Sequence, residues 1–283
     1  MICIELPQAQ QLGNDGESVL SGVYMNYKKY ISNFMRYKNL LIELVKKSIK
    51  IKYRRSYLGI LWTLIEPLLT MIVLTFVFGT LFGRDDETYP VYILCGRLLY
   101  SFFSSSSRAG LKAVSNNAGM IKKVYVPKYL YVVAANVSNF VTFLISLIVL
   151  VGVSIVLRVK PTIYLFEAVI PLIILFVFTL GVSLILSTLH VFFRDIEYIW
   201  SVVSMLIMYA SAIFYTPERL FATGNGWIFD MNPIYMCIAN FRNTVLYGTA
   251  LNLQYVFGSS LAAVVVLVVG IVMFYKNQDQ FIL

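Results

Sequence analysis

Apolar residues in this chain do not fall into short periodic stripes. They fall into six runs, at Leu58–Phe82, Val91–Leu111, Tyr129–Leu157, Glu167–Val191, Tyr198–Tyr215 and Tyr255–Tyr275. Runs of about 20 residues cross a hydrocarbon layer of ~30 Å as helices, and only a helix satisfies its own backbone over such a length in lipid. A barrel needs alternating segments of about ten residues, and Val-Val-Val-Leu-Val-Val at 264–269 does not alternate. The pattern predicts an all-α membrane protein with six transmembrane helices. Ahead of the first run, Leu40, Leu41, Leu44, Val45 and Ile49 recur at helical spacing, with Lys38, Lys46, Lys47 and Lys50 on the opposite face. Such a segment is an amphipathic helix suited to the membrane interface.

The expected organisation is therefore a cytosolic N-terminal lead over 1–36, an interfacial helix over 37–56 and a six-span domain over 57–283. Within that domain, 112–128 connects spans two and three. The stretch Thr216–Ala250 is too polar to span and too apolar for a free loop, with Trp227, Ile228, Phe229, Tyr235 and Met236 set between prolines and glycines. Two short re-entrant helices at the outer leaflet would bury those residues; a simple extracellular loop is the alternative.

Composition agrees with a lipid-facing surface. Of 283 residues 59% are hydrophobic and 13% charged, against about 25% charged in soluble domains; the mean hydropathy is +0.77. The charge is lopsided. Ten of the 23 Lys and Arg lie between Lys28 and Arg55, and Arg108, Lys112, Lys122, Lys123, Lys128, Arg194 and Lys276 fall on the same side of the predicted map. Arg84, Arg158, Lys160, Arg219 and Arg242 fall opposite, and Arg97 lies inside span two. Positive residues mark the cytoplasmic side, so both termini are expected in the cytosol. Tyr24, Tyr27, Tyr30 and Tyr37 interleave with the basic N-terminal residues, but cations beside a span are drawn by anionic headgroups, and no nucleic-acid partner is expected. The first 25 residues have no apolar core or small-residue cleavage site, so no signal peptide is expected.

The chain offers little catalytic chemistry. His190, the single histidine, has no carboxylate nearby in sequence and reads as a helix-end residue with local hydrogen bonds. Cys3, Cys95 and Cys237 have no metal spacing, and the later two fall in or near lipid. There is no Gly-x-x-x-x-Gly-Lys-Ser/Thr loop to cradle phosphates; Gly-Asn-Asp-Gly at 13–16 lacks the lysine. Glu66, just before Pro67, is the one acid well inside a span, so no relay of intramembrane carboxylates is present. No metal or cofactor is expected in this chain, and a transporter of this kind borrows its energy or runs downhill.

Four stretches carry a resemblance. Tyr53-Arg-Arg-Ser-Tyr-Leu-Gly-Ile-Leu-Trp-Thr-Leu-Ile-Glu-Pro-Leu resembles the start of span one in type-2 ABC export permeases of O-antigen, capsule and teichoic acid. Asn116–Pro127 resembles their cytoplasmic coupling helix and the proline after it, and Phe193-Arg194-Asp195-Ile196 the Arg-Asp pair between spans four and five. Asn232-Pro233 together with Phe241-Arg242 through Gly248 resembles their re-entrant region. The likeness covers about residues 40–275. Arg97, where an apolar residue is expected after glycine, and the long polar lead depart from it.

The resemblance implies a homodimer in the bacterial cytoplasmic membrane, an ABC ATPase subunit holding ATP and magnesium under each copy, and a polyprenyl-linked glycan as cargo. It implies a coupling surface at Asn116, Asn117, Met120, Ile121, Lys122, Arg194 and Asp195, and a pathway lined by spans one and five. For Arg194 and Asp195 an ion pair or an N-cap by Asp195 is the local alternative. Aromatic rings stack on sugars without reading one hydroxyl pattern, which makes Trp62, Phe76, Phe78, Tyr209 and Phe214 candidates for that path; interfacial belts and lipid packing are the default for aromatics. Arg54 and Arg55 suit a diphosphate through their planar forks, or else anchor the chain to lipid. An exporter of drugs or small lipids, or a membrane polymerase or glycosyltransferase, are the rival functions.

Overall fold

The computed structural model describes residues 37–54, 56–82, 86–121, 126–217, 224 and 226–278. It divides the chain into two units, Met1–Glu43 and Leu44–Leu283. The described residues are helical and contain no strand. Helix α1 (Lys38–Tyr53) carries exposed Lys46, Lys47 and Lys50 on one side, with Leu44 buried and Val45 and Ile49 half-buried. After a single 3-10 turn come α2 (Trp62–Phe82), α3 (Tyr89–Leu111), the one-turn helices α4 (Ala113–Asn116) and α5 (Ala118–Ile121), and α6 (Tyr129–Val156). A 3-10 segment, Ile163–Ala168, leads to α7 (Val169–Phe192); α8 (Ile196–Ala210), α9 (Trp227–Asp230), α10 (Pro233–Val245) and α11 (Leu253–Asn277) complete the chain.

Among the described residues four stretches are long and apolar enough to cross a membrane: Gly59–Thr80, Tyr129–Val156, Ile163–Phe192 and Leu253–Asn277. The two other expected spans differ for separate reasons. Helix α3 has the length, but sixteen of its 23 residues are buried. It runs through the middle of the bundle, sheathed by other helices, and can carry serines and an arginine where a lipid-facing helix could not. Helix α8 stops at Ala210 instead of running on to Tyr215, and has only 15 residues.

Small and polar residues hold the helices together, as expected where lipid removes the hydrophobic driving force between them. Helix α11 packs most extensively on α7. At their crossing a Cβ on Gly181 would lie 2.6 Å from the Leu267 backbone nitrogen, and one on Gly270 2.6 Å from the Gly181 carbonyl. Glycine alone permits that approach. In the centre Asn136 of α6 accepts hydrogen bonds from Ser106 of α3 (2.8 Å) and Ser183 of α7 (3.2 Å), and all three are fully buried. Many aromatics expected at the lipid surface are in the core: Phe102 lies 5.4 Å from Phe140 and 5.3 Å from Phe143. Cys95 and Cys237 are likewise enclosed by protein and not set in lipid.

Pro67 leaves a signature in α2. It has no N–H, so the carbonyl four residues earlier, on Thr63, lacks its helical partner. The hydroxyl of Ser146 on α6 donates to that oxygen at 2.9 Å. The proline therefore exposes a carbonyl, and a neighbouring helix binds it.

Candidate functional site

At one end of the bundle the Asn232-Pro233 motif explains itself locally. Pro233 opens α10 at a position where no N–H is needed. The Asn232 Oδ1 caps the helix by accepting from Ile234 N (3.0 Å) and Tyr235 N (3.4 Å). Its Nδ2 donates to Ala210 O (3.2 Å) and Ser211 Oγ (3.0 Å), so one side chain joins the end of α8 to the start of α10. Asn252 repeats the cap at α11.

Arg242 is the larger surprise. Counted by sequence among outer charges, it is 3% exposed and makes no ion pair among the described residues. It donates to Tyr92 O through Nε (3.3 Å) and Nη2 (3.2 Å), to Ala212 O through Nη1 (3.0 Å) and to Ile213 O through Nη2 (3.1 Å). Its guanidinium lies 3.5 Å over the Tyr92 ring. The Tyr92 hydroxyl donates to Ala212 O and Tyr215 O, and that of Tyr89 to Phe214 O. These donors serve the turn Ser211–Tyr215 that ends α8, where Ala212 takes a left-handed φ of 46°. Gly96 makes the room, since a Cβ there would meet the Arg242 Nη2 at 2.6 Å.

The aromatic path candidates separate into two groups. Phe78 and Phe214 stack at 5.0 Å and Tyr209 meets Phe214 at 6.5 Å; Phe214 is buried, so its first role is to seat that turn against α2. Trp62 and Phe76 of α2 and Tyr209 of α8 are exposed. Arg54 is exposed at the end of α1; Arg55 lies outside the described residues.

At the other end, Asn116, Asn117, Met120 and Ile121 lie on or between α4 and α5, and Lys122 lies outside the described residues. The Asn117 carbonyl accepts from Met120 N (2.9 Å) and Ile121 N (3.0 Å), and Met120 is exposed. Arg194 and Asp195 are both exposed. Asp195 stands at the N-cap of α8, but its side chain accepts no capping bond, which corrects the local expectation. The ion pair here is instead Lys112 with Glu197, and the Trp200 Nε1 donates to Ser107 Oγ at 3.1 Å. Together they bind the start of α8 to the segment leading into α4, a link residues so far apart in sequence do not advertise. His190 departs from its expected local bonding, since its Nδ1 is buried with no hydrogen-bond partner among the described residues.

A polar groove escaped the sequence reading. Arg97, Ser101, Ser105 and Arg108 on α3 and Lys112 at its C-terminal cap follow one another at helical spacing, facing Tyr131, Ser138, Asn139, Thr142 and Ser146 on α6. Between them lie a cavity of about 90 Å³, also lined by Glu66 and Pro67, and an open-mouthed one of about 510 Å³. Lys52 of α1, Ser105 and Asn139 line both. Lys52 is exposed at the groove mouth, yet partial desolvation by the surrounding helices lowers its ammonium below the usual lysine range, with Glu66 pulling the other way.

Long apolar helices around a buried polar framework define a multi-pass helical membrane protein. The chain belongs to the ABC-2 type transporter family, which matches residues 39–246. It is 31% identical to the O-antigen export system permease protein RfbA of Klebsiella pneumoniae over 249 residues, 86% of this chain and 93% of that protein. It is 29% identical to the protein of that name from Myxococcus xanthus over 187 residues, covering 66% of this chain and 72% of the relative. The polysialic acid transport protein KpsM of Escherichia coli is 30% identical over a shorter stretch of 76 residues, 26% of this chain and 30% of its own length.

Proposed function

We propose that this chain is the permease subunit of an ATP-driven exporter that moves a lipid-linked polysaccharide out across the bacterial cytoplasmic membrane. The observation that carries the reading is the likeness, over most of both chains, to a protein named for O-antigen export. The permease works as a homodimer with an ABC ATPase subunit under each copy, and ATP and magnesium are bound there. The chain crosses the membrane six times. At 1.5 Å per residue α3 is about 34 Å long, and its burial supports a sheathed crossing. Helix α8 is about 22 Å long, and the turn to Tyr215 with α9 and α10 as re-entrant elements completes that passage.

The exposed apolar faces of α2 and α8, including Phe76, Val202, Leu206 and Tyr209, support a pathway between two copies, with Trp62 at its start. Asn116, Asn117, Met120, Ile121, Lys122, Arg194 and Asp195 form the surface that takes the ATPase stroke. The ion pair of Lys112 and Glu197 then passes motion from α4 to α8. Both termini are cytosolic, and α1 lies in the inner interface.

The test is deletion of the gene in its own bacterium, without a redundant exporter, followed by measurement of surface polysaccharide. Loss of the polymer, restored by the wild-type chain, with an ATPase subunit copurifying with the tagged permease, is the expected result. Normal surface polysaccharide would overturn the substrate class. Altered sensitivity to small toxic compounds in that case would assign the chain to the drug and lipid exporters.

A further inference from the structure

Between α6, the 3-10 segment Ile163–Ala168, α7 and α10 lies another cavity, of about 350 Å³ and open to the surface. Buried Leu150, Leu172 and Phe241 form its floor, and exposed Val151, Ile155 and Val169 form its rim. Apart from the Ser154 hydroxyl, every side chain lining it is apolar. The carbonyls at the end of α6 do not change that, because the chain turns back on them. Leu157 N donates to Val153 O (2.9 Å), Arg158 N to Ile155 O (3.1 Å) and Val159 N to Ser154 O (2.9 Å). Arg158 takes a left-handed φ of 54° to make this turn, which brings Val159 into the cavity wall.

An open apolar cavity of this kind calls for an occupant. A buried water needs two to four polar partners, and one hydroxyl does not supply them. Left empty, the walls would forfeit dispersion contacts along one whole side. The cavity is built from the end of one stretch able to cross a membrane, Tyr129–Val156, and the start of the next, Ile163–Phe192. It therefore opens where lipid tails meet their headgroups. Its volume falls within the ~300–1,000 Å³ typical of small-ligand sites, and its walls suit a flexible hydrocarbon chain.

Charge at the mouth narrows the choice. Arg158 and Lys160 flank Val159 and are both exposed. Glu167, the acid of the neighbouring 3-10 segment, is turned to Leu251, whose N–H donates to its carboxylate at 3.2 Å. Two cations at the edge of an apolar cavity complement a lipid with a negative headgroup above its chain.

We propose that this cavity holds one acyl chain of an anionic membrane phospholipid, with the headgroup against Arg158 and Lys160. The lipid is a resident part of the fold and not an exported cargo. Its chain meets Phe241 on α10, one residue before the Arg242 that holds Ala212 O and Ile213 O. The occupant thus backs the helix that secures the end of α8. The site needs only the spans and the cavity, so it stands apart from the export reading.

The test titrates the purified, delipidated full-length chain in detergent with phosphatidylglycerol or phosphatidylcholine and counts bound lipid by native mass spectrometry. The wild-type chain should hold one phosphatidylglycerol more tightly than phosphatidylcholine by roughly five- to thirty-fold, the effect of two cations beside an anionic headgroup. Arg158→Asn with Lys160→Gln should erase that preference while leaving phosphatidylcholine bound; asparagine accepts the left-handed backbone at 158. Val151→Trp with Val169→Trp fills the cavity from its exposed rim and should remove the bound lipid. Val264→Trp, on an exposed face of α11 that does not line the cavity, should bind as the wild type does. Circular dichroism of each variant checks that the helices are kept. Lipid held by the filled chain at wild-type affinity overturns the proposal, as does equal retention of the two phospholipids by the wild-type chain. A filled chain that loses self-association but no lipid also overturns it, and gives the cavity to a second copy. Surface polysaccharide that still depends on the gene leaves the export reading standing after any of these failures.

Discussion

Replacing Arg242 by methionine isolates what a buried cation held by carbonyls and an aromatic ring does for this fold. The arginine donates four hydrogen bonds to three carbonyls. Tyr92 O keeps its place in the α3 ladder, and Ala212 O keeps the Tyr92 hydroxyl at 3.2 Å. Ile213 O is left with no donor, and burying an orphaned carbonyl costs ~1–3 kcal/mol. The stacking of guanidinium on the Tyr92 ring at 3.5 Å is lost as well, worth ~2 kcal/mol at a desolvated site. The sum is a loss of roughly 3–5 kcal/mol, a large share of the ~5–15 kcal/mol typical of a folded protein. Arg242→Lys keeps the charge but not the fork, and should cost about half as much. Titration of the purified variants with sodium dodecyl sulfate, followed by circular dichroism, measures the difference. Arg97→Met is the control. That side chain makes no hydrogen bond or ion pair among the described residues, and its loss should shift the curve by less than about 1 kcal/mol, as for surface changes. If Arg242→Met unfolds together with the wild-type chain, the reasoning about the turn at 211–215 is refuted.

Other expectations follow from single contacts. Ser146→Ala should destabilise by ~1–2 kcal/mol by orphaning the Thr63 carbonyl; in a Pro67→Ala background, where a backbone N–H takes that carbonyl, the cost should vanish, and additive losses in the double-mutant cycle would sink the explanation. Lys112→Glu and Glu197→Lys should each leave stability within about 1 kcal/mol, as exposed pairs do, yet lower export, with the swapped double variant recovering; export lost equally in all three would remove the pair from the coupling route. Met120→Asp with Ile121→Asp should leave insertion intact and abolish copurification of the ATPase subunit, and full copurification would move the contact elsewhere. Asp86→Cys should react with an impermeant maleimide from outside intact cells, and reaction only after lysis would reverse the orientation.

How much of this was legible depended on whether the interaction was local. The apolar runs located the long helices, and Asn232-Pro233, read only as part of a re-entrant likeness, carried a local signal for a helix start, because a cap and its proline act within three residues. The end of α8 was not legible. Ser211–Tyr215 is as apolar as the helix before it, and what stops the helix is Arg242 and Tyr92, donors brought from distant segments to take the turn's carbonyls. The same distance hid the true place of Arg242, which looks like any other loop cation in sequence. The groove was half readable. The spacing of Arg97, Ser101, Ser105, Arg108 and Lys112 puts them on one face of α3 and its C-terminal cap, but only pairing with α6 turns that face into a cavity. His190 and Asp195 invited local readings that the packing does not supply.

The enclosed thiols of Cys95 and Cys237 have a practical consequence. They sit on α3 and α10, at 0% and 1% exposure, within one buried cluster. A maleimide can reach them only while these helices part, so their alkylation rate counts excursions of the core instead of its average packing. With Cys3 replaced by serine, the chain carries its own stopwatch for opening between α3 and α10. Comparing the rate with and without nucleotide on the assembled transporter would tell whether the ATPase stroke bends the permease as rigid pieces or loosens it from within.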